Sequence, residues 1–188
     1  MRFSFHKPTL ATHEEAAALL FGGTTALHFL QKTNIVNTPH LEVLVYGATG
    51  SVGTAAVEIS KYYKARVTAV CSREGEALAR KLGSDEIVIY TERDIAMLPK
   101  KYDVVFDAVG KTTKKQCKSL LKEKGQYLTV GGLEMAKETH QQLELLRSLF
   151  KDGTLHANID KVYPLDQIIE AHQYVDTGRK KGNVIIKL

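Results

Sequence analysis

Cysteine is scarce in this 188-residue chain: Cys71 and Cys117 are the only two. A disulfide framework is therefore excluded as the source of stability, and a reducing, cytoplasmic setting is expected. Long apolar runs are also missing, so no membrane span is expected. The N-terminal stretch MRFSFHKPTL lacks the apolar centre of a secretory signal. There are no internal repeats and no low-complexity segments. The seven histidines show no metal-ligand spacing, and the cysteines are isolated, so no metal is expected. No Ser/His/Asp or Cys/His arrangement is readable, and the catalytic residues stay unassigned. Positive charge exceeds negative, with a net +5. The basic residues are nevertheless scattered: Lys61 and Lys64, Lys114 and Lys115, and the run from Arg179 to Lys181. They do not alternate with aromatics as in nucleic-acid-binding sheets, so no nucleic-acid partner is expected. Most read as solvated faces, with a few left to serve an anionic ligand.

What is present is concentrated in residues 41–73, LEVLVYGATGSVGTAAVEISKYYKARVTAVCSR. Leu41, Val43, Leu44, Val45 and Tyr46 form the near-continuous apolar run of a parallel strand covered on both faces. Gly47, Gly50 and Gly53 follow at a spacing of three. Glycine leaves room for a pyrophosphate to approach the backbone, and the next helix aims its free N–H groups and positive dipole end at it. The phosphate turn and helix start, Gly47, Ala48, Thr49, Gly50, Ser51, Val52 and Gly53, are the candidate cofactor-binding residues. The helix reads as amphipathic, with Val52, Ala55, Ala56, Ile59, Tyr62 and Tyr63 on one face and Glu58, Lys61 and Lys64 on the other. A tight strand-to-helix turn without a ligand is the alternative to dinucleotide binding.

The order of elements predicts the rest. A helix over 13–30 is capped by Thr12, with Glu14 and Glu15 in its first turn, and is interrupted at Gly22 and Gly23. Strands are expected over 41–46, 66–71, 86–90, 103–106 and 126–130. Helices are expected over 75–82, 114–121, 139–150 and 165–175, with an extended piece at 155–159 and a last strand at 183–188. Residues 1–12 form a lead-in and 13–188 one dinucleotide-binding domain. The alternation predicts an α/β fold with a doubly wound, mostly parallel sheet of the Rossmann type. Ligands bind such sheets at the carboxyl ends of the strands, so the loops after Tyr46, Cys71, Tyr90, Phe106 and Val130 share one rim.

The second strand ends Val70, Cys71, Ser72, Arg73, with no acid for the ribose hydroxyls of NAD. The missing acid also disfavours a methyltransferase. Arginine pairs well with a phosphate. Ser72 and Arg73 are therefore expected to hold the 2′-phosphate of NADP(H), with NAD(H) the second choice. The alternative for Arg73 is a surface ion pair with Glu74 or Glu76.

Several stretches then carry a resemblance: EEAAALLFGGTTALHFL, VLVYGATGSVGTAAVEISKYY, YDVVFDAVGK, YLTVGG and the ending YPLDQIIEAHQYVDTGRKKGNVIIKL. The chain resembles the cofactor-binding half of the medium-chain dehydrogenase/reductases, in the zinc-independent, quinone-reductase-like branch. The resemblance implies that Thr25 lies near the nicotinamide, Tyr90 beside the adenosine, and Val130 and Gly131 along the nicotinamide pocket. Members of that family begin with a separate barrel-like catalytic domain, which is expected to be missing from this chain. They also carry a further helix and strand after the turn at Gly132. The last strand, stripped of that neighbourhood, is expected to be unpaired, and its apolar edge invites a homo-oligomer.

The expected function is hydride transfer from NADP(H) to a quinone, an enone or another small carbonyl substrate. The alternative is a nucleotide-binding module or remnant with little catalysis of its own.

Overall fold

The computed structural model describes Lys7 and residues 11–188, so most of the expected lead-in lies outside the described residues. Five parallel strands form the central sheet: β1 (Glu42–Tyr46), β2 (Arg66–Cys71), β3 (Glu86–Ile89), β4 (Tyr102–Asp107) and β5 (Leu121–Thr129). Their spatial order is β3-β2-β1-β4-β5, with the chain crossing over from β3 to β4 on the far side of β1. The fold is the expected α/β, Rossmann-type architecture, and β1 and β4 flank the switch point where ligands of such sheets sit.

The alternation of side chains across a strand explains the apolar runs. Val43 and Val45 enter the core on one face of the sheet, while Leu44 enters the core on the other, and all three are fully buried. The larger core lies under α1 (His13–Leu30), α2 (Ser51–Tyr62) and α5 (His140–Lys151). The smaller one gathers Leu44, Val70, Val105 and Tyr102 against Cys117 and Leu120, beside α4 (Lys114–Cys117). A short α3 (Glu76–Lys81) follows β2. Fully burying a side chain such as Leu27 or Phe106 contributes about 2 to 3 kcal/mol.

Helix α1 begins where Thr12 accepts from the Glu15 N–H at 3.1 Å and Glu15 returns the bond to the Thr12 N–H at 2.8 Å. It runs unbroken through Gly22 and Gly23, contrary to the expected interruption. The reason is packing. A methyl group at Gly22 would lie 2.3 Å from the Ser51 carbonyl oxygen, and one at Gly23 would lie 2.7 Å from Leu146. The glycines let α1 lie close on α2 and α5, which offsets the roughly 1 kcal/mol each costs as a helix former.

Two further corrections concern α2. Glu58 is buried at 5% exposure, not on a solvated face, and Tyr62 is the exposed one at 44%. The helix is covered on several sides, by the sheet, by α1 and by the segment around His156, so nine of its twelve residues are buried.

Strand β5 starts at Leu121, five residues before the expected start. It crosses Gly125 through a register shift against β4, where a methyl group would sit 2.8 Å from the Tyr102 carbonyl oxygen. The last strand, β7 (Asn183–Lys187), is not unpaired. It forms a separate two-stranded parallel sheet with β6 (Ile159–Pro164), joined by α6 (Ile168–Asp176). Among the described residues no helix is long and apolar enough to cross a membrane.

Candidate functional site

The glycine turn sits where β1 ends between β2 and β4. Gly47 takes a positive φ of 74°, and the N–H groups of Gly47 and Ala48 both donate to the Val70 carbonyl, at 2.9 and 3.1 Å. This fastens the turn to the end of β2. Gly53 has a packing reason: a methyl group there would lie 2.0 Å from the Gly47 carbonyl oxygen. Gly50 has none of that kind, since its added carbon would meet only the Gly47 oxygen, at an ordinary 3.5 Å. Space at Gly50 is therefore left over by the fold and available to a ligand.

Gly50 is the N-cap of α2, and no side chain caps the helix. By contrast α1 and α5 each carry a reciprocal cap, from Thr12 with Glu15 and from Thr139 with Gln142. The first N–H groups of α2 have no partner within their own helix, and the positive dipole end is open. That is the donor set of an anion site.

The turn opens onto a hollow of about 410 Å³. Five of the expected residues line it together: Thr25, Gly50, Ser51, Val52 and Val130. Gly131 lies next to it, its backbone against Gly110 so closely that a methyl group would come within 2.7 Å of the Gly110 Cα. Ala48 and Thr49 are buried beneath the turn. The wall also contains Phe21, Phe29, Ala108, Val109, Glu134, Ala136 and Lys180, none of which the sequence reading singled out.

Ser72, Arg73 and Tyr90 lie away from this hollow. Arg73 borders a shallow depression with Glu76, Ala77, Arg80 and Lys81. Its guanidinium is held by Glu92, with contacts of 2.5 to 2.9 Å, and by Glu76 at 2.6 Å. The Glu92 hydrogen bonds, then those of Glu76, push its pKa further up. The surface pairing weighed for Arg73 is therefore present with Glu76, and Glu92 is a partner the sequence did not announce. Tyr90 is exposed at the end of β3, its ring 6.3 Å from that of Tyr46.

Two further groups shape the site. Asp107, fully buried at the end of β4, accepts from the N–H groups of Val109, Gly110 and Thr112 at 3.1, 2.9 and 2.6 Å. The Thr112 hydroxyl adds a fourth bond at 2.9 Å. Asp107 thus shapes the loop that carries Val109 to the hollow. Glu134, in the loop after β5, pairs with His28 at 3.0 Å and with Lys32, fastening that loop to α1. Burial, then the neighbouring Lys32 and Lys137, pulls the His28 imidazole below its usual range.

Among the described residues no group of three or more His, Cys, Asp or Glu is placed to hold a metal ion. Burial pushes the Cys71 thiol up to about 11, and Cys117 is raised in the same way, so neither is a ready thiolate ligand. The described residues do not fit a zinc site. They do fit a dinucleotide, through the uncapped helix and the unclaimed space at Gly50.

The sequence model of the zinc-binding dehydrogenase family matches residues 51–159, more than half of the chain. The mitochondrial NAD(P)H oxidoreductase RTN4IP1 of Bos taurus is 27% identical over 228 residues, covering 97% of this chain and 58% of that protein. The chloroplastic NADPH-dependent alkenal/one oxidoreductase of Arabidopsis thaliana is 28% identical over 191 residues, covering 96% of this chain and 48% of that protein. The chain thus spans about half to three-fifths of these relatives. The bovine alignment is 40 residues longer than the chain itself (228 against 188), so the chain is gapped against that relative. Among solved structures, the quinone oxidoreductase of Coxiella burnetii superposes with a TM-score of 0.83 at 23% identity, over 92% of this chain and 60% of that one, which bears on the fold.

Proposed function

The chain belongs to the zinc-binding dehydrogenase family, within the medium-chain dehydrogenase/reductases, and on that premise we propose that it binds NADP(H) and serves hydride transfer to an enone, a quinone or a similar small carbonyl compound. The observation that carries the reading is the uncapped start of α2, opening at Gly50 onto a hollow lined by Thr25 and Val130. The names of the relatives point the same way: NAD(P)H in the bovine protein, NADPH and an alkenal or enone in the plant one.

The division of labour follows from the lining. The first N–H groups of α2 receive the pyrophosphate, with Gly50 giving it access. Thr25 orients the nicotinamide ring within the hollow. Phe29 and Val130 keep the inner wall beside the reacting carbon apolar. The nicotinamide, when bound, supplies the hydride, and the protein supplies position and electrostatics. Arg73 serves the 2′-phosphate once it leaves Glu92. No metal step enters this account.

A second reading, a binding module with little turnover, is favoured by one feature. Phe21, at the lip of the hollow, is 68% exposed, so the described residues leave the substrate side open. Titration with NADPH and NADH, followed by cofactor oxidation with a panel of enones and quinones, separates the two. Saturable binding with turnover supports the oxidoreductase. Binding without turnover supports the module, and no binding overturns both.

Lesser parts of the proposal have their own supports. A cytoplasmic site rests on the two unbridged thiols, although the bovine relative is named mitochondrial. Self-association rests on the open edges of β6 and β7. Indifference to nucleic acid rests on the basic residues being scattered along the chain rather than alternating with aromatics.

A further inference from the structure

Lys180 stands 129 residues from the glycine turn in sequence and touches it in space. Its ammonium donates to the Ser51 hydroxyl at 2.7 Å and to the Gly182 carbonyl at 2.9 Å. The backbone is tied down as well. The Gly182 N–H donates to the Thr49 carbonyl at 2.8 Å, and Ser51 donates to the Gly182 carbonyl at 3.0 Å. The segment before β7 is therefore built onto the turn, and Lys180 is held at the wall of the hollow rather than swinging in solvent.

Among the described residues its charge has no counter-ion. Both partners of the ammonium are neutral, and among the described residues no carboxylate lies within ion-pair distance of it. Asp160 is the acid whose charge reaches it, but the Asp160 carboxylate is engaged by the Tyr174 hydroxyl at 2.6 Å and the Lys181 N–H at 3.0 Å. Burial accordingly lowers the pKa of Lys180. An ammonium has three donors, and two are used. A half-buried cation with one donor to spare, beside an uncapped helix start, is complementary to an anion.

We propose that Lys180 is a cofactor-binding residue of this chain, supplying the positive charge that pairs with the dinucleotide pyrophosphate at the turn. The inference deepens the dinucleotide reading above and rests on it for the identity of the natural ligand. It adds a charged group to a site that the glycine motif describes only as backbone. Because the pyrophosphate is common to both nicotinamide cofactors, Lys180 serves affinity without selecting between NADPH and NADH.

The test compares wild type with Lys180→Gln, Lys180→Arg and Arg179→Gln, titrated calorimetrically with NADPH, NADH and inorganic pyrophosphate. Lys180→Gln is expected to weaken all three by about tenfold or more, the usual worth of a charge-assisted hydrogen bond. Lys180→Arg retains most of the affinity. Arg179→Gln, which removes the same charge from an exposed neighbour, changes it by less than about twofold. Equal affinities in wild type and Lys180→Gln overturn the proposal. So does a loss of turnover with binding intact, which would assign Lys180 to the substrate. Pyrophosphate binding that depends on Lys180, in a chain that ignores both cofactors, sinks the dinucleotide reading and leaves the anion site standing. Cofactor binding indifferent to Lys180 does the reverse. If the glutamine variant does not fold, the Lys180 side-chain ammonium resonance of the wild type, assigned through Lys180→Arg, reports the contact directly. A shift on adding pyrophosphate supports the proposal, and a static signal overturns it.

Discussion

The Cα of Gly53 faces the carbonyl oxygen of Gly47 so closely that a methyl group would lie 2.0 Å from it, while Gly50, between them, would meet the same oxygen at 3.5 Å. The three glycines of the motif thus do different work, and substitution separates them. Gly53→Ala forces α2 away from the turn and should cost about 1 to 3 kcal/mol of stability, as overpacking does. Gly50→Ala should leave the melting temperature nearly unchanged and still weaken NADPH binding by about tenfold, because the space belongs to the ligand. Thermal melts beside cofactor titrations read both. A Gly50→Ala variant that binds as well as wild type removes the pyrophosphate from that position.

Arg73 and Glu92 set the second prediction. The arginine expected to read a 2′-phosphate is already clasped by Glu92 and Glu76. A phosphate must displace Glu92 or share the guanidinium with it. Glu92→Gln should therefore raise affinity for NADPH by about threefold, in line with an exposed ion pair, and leave NADH alone. Arg73→Ala should lower NADPH affinity only. Equal effects on the two cofactors in either variant would place the 2′-phosphate elsewhere.

How much of this was legible beforehand divides along physical lines. The glycine turn, the strands around it and the capped start of α1 are local patterns, and local physics writes them into neighbouring residues. Gly22 and Gly23 misled because helix propensity says nothing of a second helix pressing on the first. Glu58 misled because amphipathic periodicity assumes one covered face, and α2 has more. Lys180 was invisible for a third reason: a lysine in a basic run reads as solvated unless its partner is known, and Ser51 lies 129 residues away. The pairing of β7 with β6 is long-range in the same sense. Glycine spacing thus named Gly50, Ser51 and Val52, the family resemblance added Thr25 and Val130, and the rest of the wall came only with the fold.

Asp107 carries the third prediction. Four donors converge on its fully buried carboxylate. Asp107→Ala leaves them without an acceptor and should cost about 3 kcal/mol or more. Asp107→Asn keeps the shape, loses the charge assistance and offers the wrong hydrogen-bonding group to some donors, so it should fall between the two. Because these donors shape the loop that brings Val109 to the hollow, cofactor affinity should fall alongside stability. Urea denaturation and NADPH titration of both variants check this, and an alanine variant as stable as wild type contradicts it.

Glu58 makes stability depend on pH. Its carboxylate is buried on α2, where it accepts from the His156 and Asn158 N–H groups at 3.1 Å each and contacts His156 Nδ1 at 2.6 Å. Desolvation is the largest influence and outweighs the hydrogen bonds that favour the charged form, so the pKa is raised. A carboxyl whose folded value lies above its unfolded one binds its proton more tightly in the folded chain. Its contribution is then fully present below the ordinary glutamate value and is lost as pH rises through the raised folded value. Glu58→Gln removes that titration, since the amide is neutral throughout. Relative to the variant, wild type should lose stability as pH climbs through the weakly acidic range and then level off. Paired melts of the two proteins across that range read the difference directly. A difference that stays flat, or one in which wild type gains stability with rising pH, would mean that His156 and Asn158 stabilise the carboxylate more than burial penalises it.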